Sequence, residues 1–227
     1  LMKGALHTDE LMHAALDPNA GLRTARRASH VFVIDAPAAD RLLFITDAAI
    51  NIAPDLDTKR DIAQNAIDLA QALGIATPRL AILAAVETIN ARMPATLDAA
   101  ALCKMADRGQ ITGAILDGPL AFDNAMSLAA AKTKGIDSPV AGLADILLTP
   151  DLESGNMLAK QLEYLGGATI AGLVVGTRVP IILTSRADGV QARLASCALA
   201  VLQRQARLRA TGQLDPADPA AAAVPNL

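Results

Sequence analysis

Short apolar runs that do not alternate, each followed by a helix-length segment, constrain this chain more than any other feature. Segments 80–84, 146–148 and 168–174 are almost wholly apolar. A strand with one wet face alternates apolar and polar residues, whereas a strand covered on both faces does not. The segment 57–73 reads as a helix closed by Gly74, and 97–108 as one closed by Gly109. Glycine suits the left-handed residue that follows a helix. Strands alternating with such helices predict an α/β fold whose mostly parallel sheet is covered on both faces.

The remaining elements fill in that pattern. Thr8, followed by Asp9 and Glu10, is expected to cap a helix over 8–16 that stops at Asp17-Pro18. Strands are predicted at 31–34 and 42–46, joined as a hairpin by the turn-rich 35–40. A strand at 113–116 is expected to end at Asp117-Gly118-Pro119. Helices are predicted over 122–132, 153–165 and 190–209, with a last strand at 181–183. The Ala- and Pro-rich tail, 212–227, is expected to be disordered.

Composition narrows the function. The 227 residues are 52% hydrophobic, enough for a sizeable core. Only 2% are aromatic and the net charge is −3, which argues against a nucleic-acid partner. Cys103 and Cys197 lie in separate helical patterns and read as free thiols. Three histidines and no HExxH or CxxC give no metal site. Segment 165–176 is too short and Gly-rich to span a membrane, and no apolar leader is visible, so a cytoplasmic protein without a membrane partner is expected. The chain starts at Leu1 inside a patterned segment, which suggests that the beginning of a longer protein is missing.

The densest chemistry lies at Thr184-Ser185-Arg186-Ala187-Asp188-Gly189, between the last apolar run and the last helix. Ligands of open α/β sheets sit at strand ends beside helix starts. A hydroxyl, a guanidinium and a carboxylate there can hold an oxyanion and move a proton. The plainer reading is a helix cap at Ser185 or Asp188 with a surface arginine.

Five motifs occur in order: Lys3-Gly4-Ala5-Leu6-His7-Thr8, Asp47-Ala48-Ala49-Ile50-Asn51-Ile52-Ala53-Pro54, Asp117-Gly118-Pro119-Leu120-Ala121-Phe122-Asp123, Leu152-Glu153-Ser154-Gly155-Asn156 and Thr184-Ser185-Arg186. Over about 2–209 this series resembles the phosphate acetyltransferase and phosphate butyryltransferase family. Its Thr-Ser-Arg-Ala-Asp form is more similar to the butyryl branch, including acyltransferase halves fused to enoyl-CoA hydratases. The resemblance implies a fold like isocitrate and isopropylmalate dehydrogenases, two α/β domains with a cleft between them. Residues 30–180 would then be the complete second domain. Residues 1–29 and 181–227 would be remnants of a discontinuous first domain that is incomplete here.

The implied activity is reversible transfer of a short acyl group between CoA and phosphate, by direct thiol attack in a ternary complex. Its small-molecule partners are acyl-CoA, phosphate and acyl phosphate. CoA is a substrate, no cofactor is tightly bound, and a homodimer is expected. The resemblance makes Ser185-Arg186 the active-site dipeptide. Arg186 would bind phosphate through its fork of donors, and Ser185 would donate to thiol or oxyanion. The acetyl branch has an aspartate six residues after the arginine; Ala192 stands there, so Asp188 is the nearest base. Arg23 and Arg27, with Arg26, form a basic cluster for CoA phosphates or a solvated surface run. His7 and Thr8 suit an anion at a helix start. Asn51 either lines the cleft or satisfies local backbone. Asp117 and Gly118 border a strand end, and Asn156 lies near a helix start; both are read as phosphate- or CoA-binding. A non-catalytic acyl-CoA sensor, like the carboxyl-terminal domains of some malic enzymes, is the alternative.

Overall fold

In the computed structural model, which describes residues 1–19, 21–185 and 188–213, five of six strands point the same way. The elements are α1 (Thr8–Ala15), β1 (Ser29–Asp35), β2 (Leu43–Thr46), α2 (Leu56–Ala72), β3 (Arg79–Leu83), α3 (Pro94–Asp107), β4 (Ile115–Leu120), α4 (Phe122–Met126), α5 (Leu128–Thr133), β5 (Ile146–Leu148), α6 (Leu152–Tyr164), β6 (Thr169–Val175) and α7 (Val190–Ala210). The sheet order is β4-β3-β5-β2-β1-β6. β1 alone runs backwards, pairing antiparallel with both β2 and β6. The connection between β1 and β2 is too short for the crossover that parallel neighbours need, so it makes the expected hairpin.

The sheet is covered on both faces. On one, Val31, Phe44, Leu80 and Ile146 pack against α2, α3 and α7 through Ile62, Ile67, Leu102 and Leu199. On the other, Ile34, Ile45, Leu147 and Ile170 pack against α4, α5 and α6 through Ala125, Ala131 and Ala159. A third cluster joins Met12 and Ala15 of α1 to Val174, Ile181 and Leu183. Asp55 and Asp151 begin α2 and α6 by accepting the Thr58 and Ser154 amides, each at 2.8 Å.

Several expectations need correction. Asp117-Gly118-Pro119 lies inside β4 rather than after it. β4 is an edge strand, where a missing N–H disrupts no ladder. The helix expected over 122–132 is broken at Ser127, whose hydroxyl oxygen accepts the Ala130 amide and starts α5. Thr8 is the first helical residue of α1, and His7 is its N-cap, with the Glu10 carboxylate accepting the His7 amide at 3.4 Å. The tail expected to be disordered falls outside the described residues from 214 onward.

The strand expected at 181–183 exists only as bridges. Ile181 pairs antiparallel with Val174, and Ile182 pairs parallel with Met2. The Lys3 amide donates to the Ile182 carbonyl at 3.0 Å, and the Ile182 amide to the Leu1 carbonyl at 2.8 Å. Because 181–183 runs against β6, it carries Ser185 toward the amino-terminal edge of the parallel strands.

Candidate functional site

That direction divides the expected site residues into groups. Residues 1–3 run parallel to 180–182, so the Lys3–Thr8 and Thr184–Gly189 motifs leave the sheet at the same edge. Ser185 is exposed, and its backbone N–H donates to Asp188 Oδ2 at 2.7 Å. The Asp188 amide returns a bond to the Ser185 carbonyl at 3.2 Å. Asp188 therefore closes the loop on itself, and Gly189, not Asp188, is the N-cap of α7. Arg186 lies outside the described residues.

The departure of this loop from the sheet has a local cause. At Gly172 and Leu183 the backbone ladder gives way to side chains. The Gly172 amide donates to Ser196 Oγ of α7 at 3.0 Å, and His30 hydrogen-bonds the Leu183 carbonyl. A Cβ on Gly172 would stand 2.8 Å from His30 Nε2 and 3.1 Å from the Leu183 oxygen. Only glycine leaves room for the ring to reach that carbonyl. His30 is 1% exposed, and burial lowers its pKa from 6.5 to about 3. The ring is neutral, and its Nδ1 is buried with no hydrogen-bond partner among the described residues.

A second group gathers at the opposite edge, around Asp47. This carboxylate is 2% exposed and accepts the amides of Ala49, Ile50 and Asn51 at 2.9, 3.1 and 3.2 Å and Asn51 Nδ2 at 2.6 Å. Burial outweighs these bonds and pushes its pKa up. Asn51 Nδ2 also reaches the Ala28 carbonyl at 2.9 Å, so Asn51 satisfies local groups. Asn156 Nδ2 donates to the Ala48 carbonyl at 3.1 Å. Gly155 lets α6 approach this turn, since a Cβ there would lie 2.6 Å from the Asp47 backbone carbonyl oxygen.

Arg23 and Arg27 line a nearby cavity of about 410 Å³ with Thr24, Arg60, Asp55 and Gly176. Arg26, which also lines it, is paired with Asp68 at 2.5 Å, and Arg60 with Asp61 at 3.0 Å. Gly176 follows β6, and Leu183 lies alongside Gly172. At a strand's rise, the cavity and Ser185 stand roughly 20 Å apart.

Asp117 and Gly118 join neither group. β4 and β6 are opposite edges of the six-stranded sheet and the 181–183 segment pairs beyond β6, so six strand spacings, about 29 Å, separate Asp117 from the Ser185 strand. Asp117 Oδ1 accepts the Gly118 amide at 2.8 Å, and Gly118 packs against Ile82 and Ala99. Asp123 pairs with Lys134 at 2.9 Å. Among the described residues no cluster of three metal-ligating side chains occurs, and no helix is long and apolar enough to cross a membrane.

Sequence reasoning assigned no role to Lys3, Asp47, His30 or Ser196. Lys3 and Asp47 stood inside quoted motifs. Nothing in the sequence distinguished His30 or Ser196.

The ordered motifs are matched as a whole by one family, described as Phosphate acetyl/butaryl transferase, over residues 1–201. The chain belongs to this family. Among family members, the phosphate acetyltransferase of Rhizobium meliloti is 67% identical over 202 residues, covering 89% of this chain and 64% of the relative. The phosphate butyryltransferase of Clostridium acetobutylicum is 48% identical over 202 residues, 89% of this chain and 67% of the relative. A crystal structure of a branched-chain phosphotransacylase from Enterococcus faecalis V583 superposes with a TM-score of 0.82 at 36% identity, covering 89% of this chain and 72% of that one. The chain spans 57–64% of the length of the Rickettsia prowazekii and R. meliloti phosphate acetyltransferases.

Proposed function

We propose that the protein transfers a short acyl group reversibly between CoA and phosphate. The observation that carries this is the family match from 1 to 201, reaching through the Thr184–Gly189 loop. Relatives named for acetyl and for butyryl transfer both align over about nine-tenths of the chain. Toward acyl-CoA, the CoA sulfur attacks the carbonyl carbon of the acyl phosphate. The thiol proton goes to Asp188, whose Oδ2 is engaged by the Ser185 amide, leaving Oδ1 as the accepting atom. Ser185 Oγ–H donates to the tetrahedral oxyanion. Collapse breaks the carbon–oxygen bond to phosphate, which leaves on the Arg186 guanidinium. No covalent enzyme intermediate is needed.

The arginine cavity receives the phosphate-bearing end of CoA. Neither the Arg23 nor the Arg27 guanidinium is in an ion pair among the described residues, unlike Arg26 and Arg60. The long pantetheine arm would bridge the interval to Ser185.

The two-domain arrangement like that of isocitrate and isopropylmalate dehydrogenases belongs to this reading. So do a homodimer, a cytoplasmic location and a first domain made of 1–29 and 181–227. Hydrogen bonds between 1–3 and 180–182 support joining those two segments.

The test is phosphate-dependent CoA release from acetyl-, propionyl- and butyryl-CoA by the full chain and its Arg186→Ala variant. Release by the parent and its loss in the variant is the expected result. Parent-like release by Arg186→Ala would overturn the assignment.

A further inference from the structure

The Lys3 residue is 8% exposed, although Gly4 to His7 beside it are exposed. Its ammonium donates to the Leu6 carbonyl at 3.2 Å and the Gly4 carbonyl at 3.5 Å. Both acceptors belong to its own turn, and the second bond is long. An ammonium has three donors and a full charge. Among the described residues, Lys3 is in no ion pair, whereas the buried Lys59 meets Asp98 at 2.6 Å. A buried charge without a counter-charge is costly, and an anion is what relieves it.

The backbone says where that anion would sit. Met2 pairs parallel with Ile182, so Lys3 lies beside Leu183. Side chains alternate along extended backbone. The Met2 sulfur touches Cys197 of α7 at 3.9 Å, which puts Met2 on the α7 side. Lys3 and Leu183 then share the other side, and Ser185, two residues on, has the same parity. The turn that holds the ammonium and the loop that holds Ser185 leave the sheet together.

We propose that Lys3 is a phosphate-binding residue of the Ser185 loop, a second cation for the dianionic phosphoryl group. This rests on the acyltransferase reading for its substrate class, and it assigns a ligand contact where the described residues offer Lys3 only backbone partners. Two cations on one dianion fix its orientation as well as its charge, so the carbonyl carbon is presented to the thiol in one pose.

Inorganic phosphate is the probe, titrated calorimetrically into the full chain and its Lys3→Met and Lys3→Arg variants. Lys3→Met should weaken phosphate at least tenfold while leaving CoA affinity within twofold, and Lys3→Arg should stay within a few-fold of the parent. If Lys3→Met does not fold, reductive methylation of the unsubstituted chain decides. Phosphate should slow modification of Lys3 but not of the exposed Lys132. Unchanged phosphate affinity in Lys3→Met, no protection of Lys3, or no phosphate binding by the parent would each overturn the proposal. Phosphate binding that depends on Lys3 in a chain that transfers no acyl group would keep this site and reject the acyltransferase reading.

Discussion

Replacing Gly172 with alanine tests the packing that releases the Ser185 loop from the sheet. The added methyl would stand 2.8 Å from His30 Nε2 and 3.1 Å from the Leu183 carbonyl. Unstrained contacts of this kind need about 3.5 Å or more. The ring cannot retreat easily, because it is buried and packs edge-on to Phe32 with centroids 4.4 Å apart. Overpacking of this kind costs about 1–3 kcal/mol. Displacing His30 also leaves the Leu183 carbonyl without its donor, about 1–3 kcal/mol more. Stiffening the unfolded chain returns about 0.4–1 kcal/mol. The net is about 3 kcal/mol, which lowers Tm by roughly 6–12 °C in a chain of this size. Urea and thermal unfolding measure it. A double-mutant cycle with His30→Ala supplies the decisive comparison. Removing the ring first should relieve the clash, so the double variant should be at least about 1 kcal/mol more stable than the sum of the singles predicts. Parent-like stability of Gly172→Ala, or strict additivity in the cycle, would refute the reasoning.

Two further outcomes follow from the buried His30 and the half-buried Cys103. The folded chain holds the His30 pKa near 3 against 6.5 for the free side chain, so between those values the unfolded chain binds more protons. Stability from this group is therefore full above about pH 6.5 and falls by on the order of 4–5 kcal/mol as pH drops toward 3. Urea midpoints measured against pH should show His30→Gln lacking this decline, and curves parallel to the parent's would reject it. Burial, helped by Asp117 and Asp107, pushes the Cys103 thiol up to about 11. At pH 8 only about one part in a thousand is thiolate, so iodoacetamide should label Cys103 far more slowly in the folded chain than in urea; equal rates would contradict this.

The sheet was legible because its strands are apolar on both faces, a pattern that needs no tertiary knowledge. The stop at Gly74 is likewise local chemistry, whereas the helices expected from 57 and 153 begin one residue earlier, capped by Asp55 and Asp151. What escaped was decided by neighbours. Asp117-Gly118-Pro119 has the composition of a turn, and only its place at the sheet edge permits a strand. The Ile181–Leu183 run looks like a strand whose end faces the same way as the others, yet direction is a property of pairing. Its antiparallel pairing with β6 carries Ser185 away from Asn51 and Asn156. Asn51 was visible as a polar residue in an apolar stretch, but the buried carboxylate that claims it was not. Lys3 reads as an ordinary surface lysine until burial is known.

The hydrogen bonds between residues 1–3 and 180–182 close a ring of about 180 residues through backbone alone. Bringing ends that far apart together costs about 4–5 kcal/mol of chain entropy if nothing between them is ordered. A few bonds cannot supply that in an unfolded chain. The ordered sheet and the burial of Ile181, Ile182 and Leu183 against the two neighbouring clusters offset that cost. The loop bearing Ser185 and the turn bearing Lys3 both hang from these bonds. The chemistry proposed for this protein is therefore mounted on a contact between segments about 180 positions apart, and its geometry depends on the sheet between them being folded.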